Sequence, residues 1–205
     1  QIIKDNYGEI AAIKMEVSRN DKPKDGYLQK VRDLATENNI ILIFDECTSG
    51  FRETFGGLHK KYKVDPDIAV FAKALGNGYA ISACIGRKEF MQAAQNTFIS
   101  STFWTERIGP TAALKTLEIM EREKSWEKIT HTGKNIGERW KTLAQKYELP
   151  LDINGLPALI GFSFRLQNML KYKTLITQEM LKKGILAATS VYVCTEHKQP
   201  IIDKY

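Results

Sequence analysis

Cysteine is scarce in this chain of 205 residues: Cys47, Cys84 and Cys194 make three, an odd number that argues against a disulfide framework. A disulfide-stapled secreted domain is therefore excluded, and a reducing, cytoplasmic setting is expected. Long apolar runs are missing as well. None approaches the roughly 20 residues that a bilayer-spanning helix needs, so no membrane partner is expected. The opening "QIIKDNYGEI" holds neither the basic leader nor the apolar stretch of a secretory signal. No internal repeat and no low-complexity segment occurs, so repeat architectures are not expected. Paired metal-ligand motifs are absent too. Cys194 and His197 in "CTEH" have a metal-like spacing, but without a second pair they do not make a zinc site, and no metal is expected.

What remains is an ordinary globular balance, 43% hydrophobic and 26% charged, on a chain long enough to bury a sizeable core. The net charge of +6 could suit nucleic acid, but lysine and arginine are spread along the chain and interleaved with acids. The densest basic cluster, "HKKYK" (59–63), reads as a solvated loop, although Tyr62 within it could stack on a base. No nucleic-acid partner is expected.

Hydrophobic patterning predicts an α/β order. "EIAAIKMEV" (9–17) reads as a short buried strand into which the chain opens almost directly. "GYLQKVRDLATENN" follows, with Leu28, Val31, Leu34 and Ala35 on one helical face. "IILIFDE" (40–46) has the continuous apolar character of a strand covered on both faces, and "DIAVFAK" (67–73) and "ISACIGR" (81–87) repeat it. A mixed, mostly parallel sheet with helices is expected.

The character then changes. "GPTAALKTLEIMERE" places Ala113, Leu114, Leu117 and Met120 on one helical face, with Pro110 early, where a first turn tolerates it. A longer helix is predicted from Trp126 to Tyr147, striped by Trp126, Ile129, Ile136, Trp140, Leu143 and Tyr147. "LPALIGFSF" and "ILAATSVYVC" read as strands, with the helix "KYKTLITQEMLKKG" between them, and "PIIDKY" as a first helical turn. The expected domains are 1–125, sheet and helices, and 126–205, a connecting helix with a smaller α+β unit.

Two residues stand where open α/β sheets place their ligands, at the C-terminal ends of apolar strands: Lys73 after "AVFA" and Asp45 after "LIF". An amine desolvated at such a place becomes a nucleophile towards carbonyls, as a Schiff base requires. The bland alternative is a lysine leaving a strand for the surface. A carboxylate at a strand end needs a cation or a hydrogen-bond donor. Asp45 could cap a turn or pair with Arg52, or it could meet a pyridinium nitrogen. A Schiff-base lysine together with an acid on the ring nitrogen is the arrangement of pyridoxal phosphate sites.

The order of blocks then becomes specific. "ILIFDECTSGFRETFGG", "VDPDIAVFAKALGNGYAISACIGRKEFM" and "SSTFWTERIGPTAAL" resemble class III aminotransferases of fold type I, including the glutamate-1-semialdehyde aminomutase group. The resemblance runs from "GEIAAIKMEV" to "VYVCTEH". It implies the fold type I α/β fold followed by a smaller α+β domain, with pyridoxal 5'-phosphate as cofactor. It also implies a small-molecule amino donor and carbonyl acceptor, and a homodimer whose active site lies at the interface.

Residue by residue, the resemblance makes Lys73 the Schiff-base lysine and proton shuttle, and Asp45 the partner of the ring nitrogen. Thr102, assisted by Ser101, would bind the cofactor phosphate of the neighbouring subunit at a helix start, an anion-binding position; plain N-capping is the alternative. Thr48 stands where relatives commonly carry a glutamine near the phenolic oxygen, and can still hydrogen-bond there. Tyr79 replaces a frequent proline, and "FWTERIGP" departs from the usual run after the threonine; Trp104 could line the substrate entrance or pack at the helix start. The phosphate-cradling turn and ring-stacking aromatic of relatives normally lie upstream, so the chain is expected to be a part lacking the N-terminal half. An aminomutase, moving the amino group within one substrate, and a non-catalytic remnant serving as a binding or scaffold subunit are the alternative functions. Cys47 beside Asp45 reads as a small buried residue rather than a nucleophile. Glu16 fits either a substrate role or a strand-end charge, and Gly133–Lys134 lacks the rest of a P-loop.

Overall fold

A computed structural model describes residues 1–205, which divide into two units, Gln1–Lys124 and Ser125–Tyr205. In the first, a short helix α1 (Ile2–Asp5) precedes β1 (Ala12–Glu16), so the chain does not open directly into a strand. Then come α2 (Tyr27–Glu37), β2 (Ile41–Asp45), α3 (His59–Tyr62), β3 (Ile68–Phe71), β4 (Ala83–Gly86), α4 (Lys88–Gln92) and α5 (Ile108–Glu123). The four strands lie in the order β1-β2-β3-β4, the first three parallel and β4 antiparallel to β3. This is the mixed, mostly parallel sheet that the apolar runs predict.

Alternation decides what the sheet buries. Leu42 and Phe44 are fully buried, whereas Ile41, Ile43 and Asp45 are only half-buried. Within this chain β2 is therefore covered on one face rather than two, and Asp45 points to the more open side. On α2, Leu28 and Ala35 are buried and Leu34 is exposed; on α5, Ala113 and Met120 are buried and Leu114 is exposed. Leu34 and Leu114 sit on the flank of their stripes, one position off the i, i+7 line of the buried pairs. Asp67, buried just before β3, accepts from the Leu42 backbone N–H and from Arg32 Nη1, both at 2.8 Å, and so ties α2 and β2 to β3.

The second unit comprises α6 (Ser125–Lys146), β5 (Leu151–Asn154), β6 (Leu159–Phe164), α7 (Met169–Lys182), β7 (Ser190–Tyr192) and α8 (Gln199–Lys204). Its three strands form an antiparallel sheet, β5-β6-β7. Ile129, Ile136 and Trp140 of α6 pack with Ile160 and Phe162 of β6, while Leu143 and Tyr147 at the end of the predicted stripe are exposed. A Cβ on Gly133 would meet the Pro157 carbonyl at 1.7 Å, so this glycine lets the helix touch backbone and has no part in a phosphate loop. β5 is a strand that apolar patterning did not reveal. β7 is shorter than "ILAATSVYVC" suggests, with Leu186 almost fully exposed before it.

Candidate active site

Lys73 follows β3 directly and opens a 3₁₀ turn, Lys73–Leu75. Its neighbours Phe71 and Leu75 are buried and anchor the turn from both sides. Its backbone adopts φ 46°, the left-handed region that costs a non-glycine residue about 1–3 kcal/mol and clusters at functional sites. The turn closes through Gly76, where a Cβ would meet the Tyr79 carbonyl at 2.2 Å. Lys73 Nζ donates to Thr48 Oγ1 at 2.6 Å. The side chain is exposed in this chain, so the desolvation expected of a strand-end lysine is not supplied by these residues.

Asp45 ends β2, beside β3, in register with Val70 on one side and Glu16 on the other. Its Oδ1 accepts the Cys47 backbone N–H at 3.1 Å, an Asx-type turn, and its Oδ2 lies 2.8 Å from Lys14 Nζ. The cation beside it is thus Lys14 of β1 rather than Arg52. The Lys14 hydrogen bond is the foremost influence holding the Asp45 carboxyl below its usual range, and it overcomes the opposing effect of burial. The same contact raises the Lys14 ammonium above its usual value. Burial first, and then Asp45, push the Cys47 thiol up, against the reading of Cys47 as a thiolate nucleophile. Glu16 pairs with Arg19 at 3.1 Å, as a strand-end charge would.

The loop between Asp45 and β3 is held by a residue that sequence reasoning passed over. Glu46 is fully buried, and its carboxylate accepts from Ser49 Oγ at 2.5 Å, the Leu58 N–H at 2.9 Å and the His59 N–H at 2.9 Å. His59 Nδ1 stands 2.9 Å from the same carboxylate. Burial, the largest single influence, raises the Glu46 pKa, but His59, Ser49 and the two backbone donors together bring it below its usual value. An ionised carboxylate only accepts, so Nδ1 carries the proton. The solvated loop expected at 59–63 is therefore the helix α3, with His59 buried. The available signal was a second acid after an apolar strand and a histidine further along the same loop.

Ser101 and Thr102 lie in an exposed turn ahead of α5, and no hydrogen bond joins them to Lys73, Asp45 or Thr48. Ser101 Oγ accepts the Phe103 N–H at 3.2 Å. Neither caps α5. Glu106 does so, accepting the N–H groups of Ile108 and Gly109. Trp104 is 68% exposed and does not pack at the helix start. In the second unit, His197 Nδ1 accepts the Cys194 N–H at 3.2 Å, a turn contact.

The ends of β2 and β3, with the loop after β2, thus bring together an amine, an ionised carboxylate and a hydroxyl. That donor set fits a cofactor bearing an aldehyde and a protonatable ring nitrogen: Lys73 for the aldehyde, Asp45 for the ring N–H.

The fold matches solved transaminases. The FumI protein of Sphingopyxis sp. MTA144, solved with PLP, aligns with a TM-score of 0.92 at 20% identity, over 99% of this chain and 51% of its own. An S-selective transaminase from Arthrobacter sp. aligns with a TM-score of 0.82 at 22% identity, over 99% and 51%. The model of the aminotransferase class-III family matches residues 2–196, and the chain belongs to that family. A 3-aminobutyryl-CoA aminotransferase of Cloacimonas acidaminovorans is 36% identical over 85% of this chain and 44% of its own length. A glutamate-1-semialdehyde 2,1-aminomutase of Methanococcus maripaludis is 28% identical over 100% of this chain and 52% of its own. The chain spans about half the length of the curated relatives it matches. No helix is long and apolar enough to cross a membrane.

Proposed function

We propose that this chain forms the lysine-bearing part of a pyridoxal-phosphate-dependent aminotransferase. The donor's C–NH₂ becomes C=O as the acceptor's C=O becomes C–NH₂, with no net oxidation. The observation that carries this reading is the placement of Lys73, held on Thr48, close to the ionised Asp45 at the ends of adjacent parallel strands. When bound, pyridoxal phosphate supplies an aldehyde that captures amines and a ring that takes up negative charge from the reacting carbon. Lys73 Nζ would hold the aldehyde and would move the proton at the substrate carbon. Thr48 orients Nζ. Asp45 would keep the proton on the ring nitrogen, as a fixed charge beside it.

In this reading residues 1–125 belong to the large cofactor-binding domain and 126–205 to the connecting helix and small domain. Phe98, Phe103 and Trp104 are 96%, 75% and 68% exposed around Ser101 and Thr102, an apolar surface that a homodimer would cover. Ser101 and Thr102 would then offer their hydroxyls to the partner subunit's cofactor phosphate. Three free cysteines suit a cytoplasmic location. An aminomutase is the second reading, favoured by the methanogen relative that aligns over the whole chain.

The test is to incubate the full-length protein with pyridoxal phosphate, reduce with borohydride and map the modified peptide by mass spectrometry. A phosphopyridoxyl group on Lys73 is expected. Its absence would overturn the aminotransferase reading and leave that of a non-catalytic scaffold.

A further inference from the structure

Lys14 interrupts an otherwise apolar stretch of β1. Parallel pairing sets Lys14 opposite Ile43 and Glu16 opposite Asp45, so Lys14 shares a face with Asp45, one diagonal step away. The pairing register therefore brings its amine onto the carboxylate, and Lys14 Nζ lies 2.8 Å from Asp45 Oδ2. Oδ1 is engaged by the Cys47 N–H, so both oxygens already serve a donor. A carboxylate offers about four lone-pair sites, which leaves room for a third donor without expelling Lys14.

We propose that Lys14 is a positioning residue that acts through Asp45: it neutralises part of the carboxylate's charge and so sets how tightly the site holds protons on a bound pyridoxal cofactor. This rests on the proposed cofactor site. A ring nitrogen meeting Asp45 alone would face a full negative charge, whereas one meeting the Asp45–Lys14 pair faces little net charge. The other charged or titratable groups around Asp45 are Glu16, in register on β1, the Cys47 thiol, and Lys73 beyond Cys47. Removing Lys14 leaves Asp45 uncompensated and favours protonated, cationic forms of the lysine-bound cofactor.

The experiment titrates the absorbance of the full-length holoenzyme against pH, for the wild type, Lys14→Met and Lys14→Arg. Lys14→Met should move the midpoint of the lysine-bound chromophore up by about one pH unit, the size expected of one unit charge removed at close range. Lys14→Arg, which keeps the charge, should restore it. A midpoint unchanged in Lys14→Met overturns the inference while leaving the cofactor assignment standing. A wild type that forms no chromophore overturns the functional reading beneath it. On the cofactor-free protein, the Asp45 carboxyl followed by carbon NMR should titrate higher in Lys14→Gln. An unshifted titration there overturns the inference by a route that needs neither cofactor nor activity.

Discussion

The two units of the chain spend their buried positions differently. The buried polar and charged residues, Ser18, Glu46, Ser49, His59 and Asp67, all belong to Gln1–Lys124. The core of Ser125–Tyr205 is apolar and aromatic, with Trp140 edge-on to Phe162 at 4.7 Å between ring centroids. An apolar core needs only area and shape, and α6 on a three-stranded sheet provides both. A buried carboxylate requires a full set of donors and is costly when one is lost. The first unit accepts that cost at both ends of its strands: Glu46 follows Asp45 at the C-terminal end of β2, and Asp67 lies at the N-terminal ends of β2 and β3. Glu46 fastens the loop to His59 and Ser49, and Asp67 fastens the strands to α2. Glu46 thus anchors the loop that follows Asp45 and carries Thr48, while the apolar core stabilises its own unit.

The largest effect is expected at Lys73. Lys73→Ala should reduce turnover of the full-length enzyme by at least about a thousandfold while leaving thermal stability unchanged, because the side chain is exposed and its one hydrogen bond is to Thr48. A loss of stability of the same order would mean that the lysine is structural. Next comes Glu46→Ala, which strands Ser49, His59 and two backbone N–H groups. Chemical denaturation should show a loss of about 3–5 kcal/mol, and the cofactor spectrum should change with it as the Asp45–Thr48 loop loosens.

Trp140→Ala should cost a similar 3–5 kcal/mol through the cavity it leaves. At temperatures where the protein stays folded, the cofactor spectrum should be unmoved, and a change there would contradict the division of labour. The smallest effect is acid sensitivity. Asp45 and Glu46 titrate below their unfolded values, so their contribution is fully present above about pH 5 and is lost as pH falls through the folded values. In the second unit the lowered carboxyl is Asp203, held by Arg139 on the surface, where an ion pair contributes little. Hydrogen exchange on acidification should therefore loosen 1–124 before 125–205, and the reverse order would contradict the contrast.

Much of this was legible beforehand in local terms. The apolar runs ending at Asp45 and Lys73 announced strands, and α6 followed from its stripe. What escaped was decided between elements. The basic run at 59–63 looked solvated because lysines surround His59, yet Glu46 draws the histidine inward. Ser101 and Thr102 looked like a helix start, but α5 begins later and Glu106 caps it. β5 carries only two apolar residues, Leu151 and Ile153, and so lacks the longer apolar run that marked β2 and β3.

By itself, the sequence determined which segments become strands and helices, and that an amine and a carboxylate stand at neighbouring strand ends, since both depend on periodicity within a few residues. That Lys14 meets Asp45, Thr48 receives Lys73 and Glu46 holds His59 emerges only in three dimensions. Those contacts depend on strand register and loop return, and a shift of one residue in register would turn each strand's side chains to the other face.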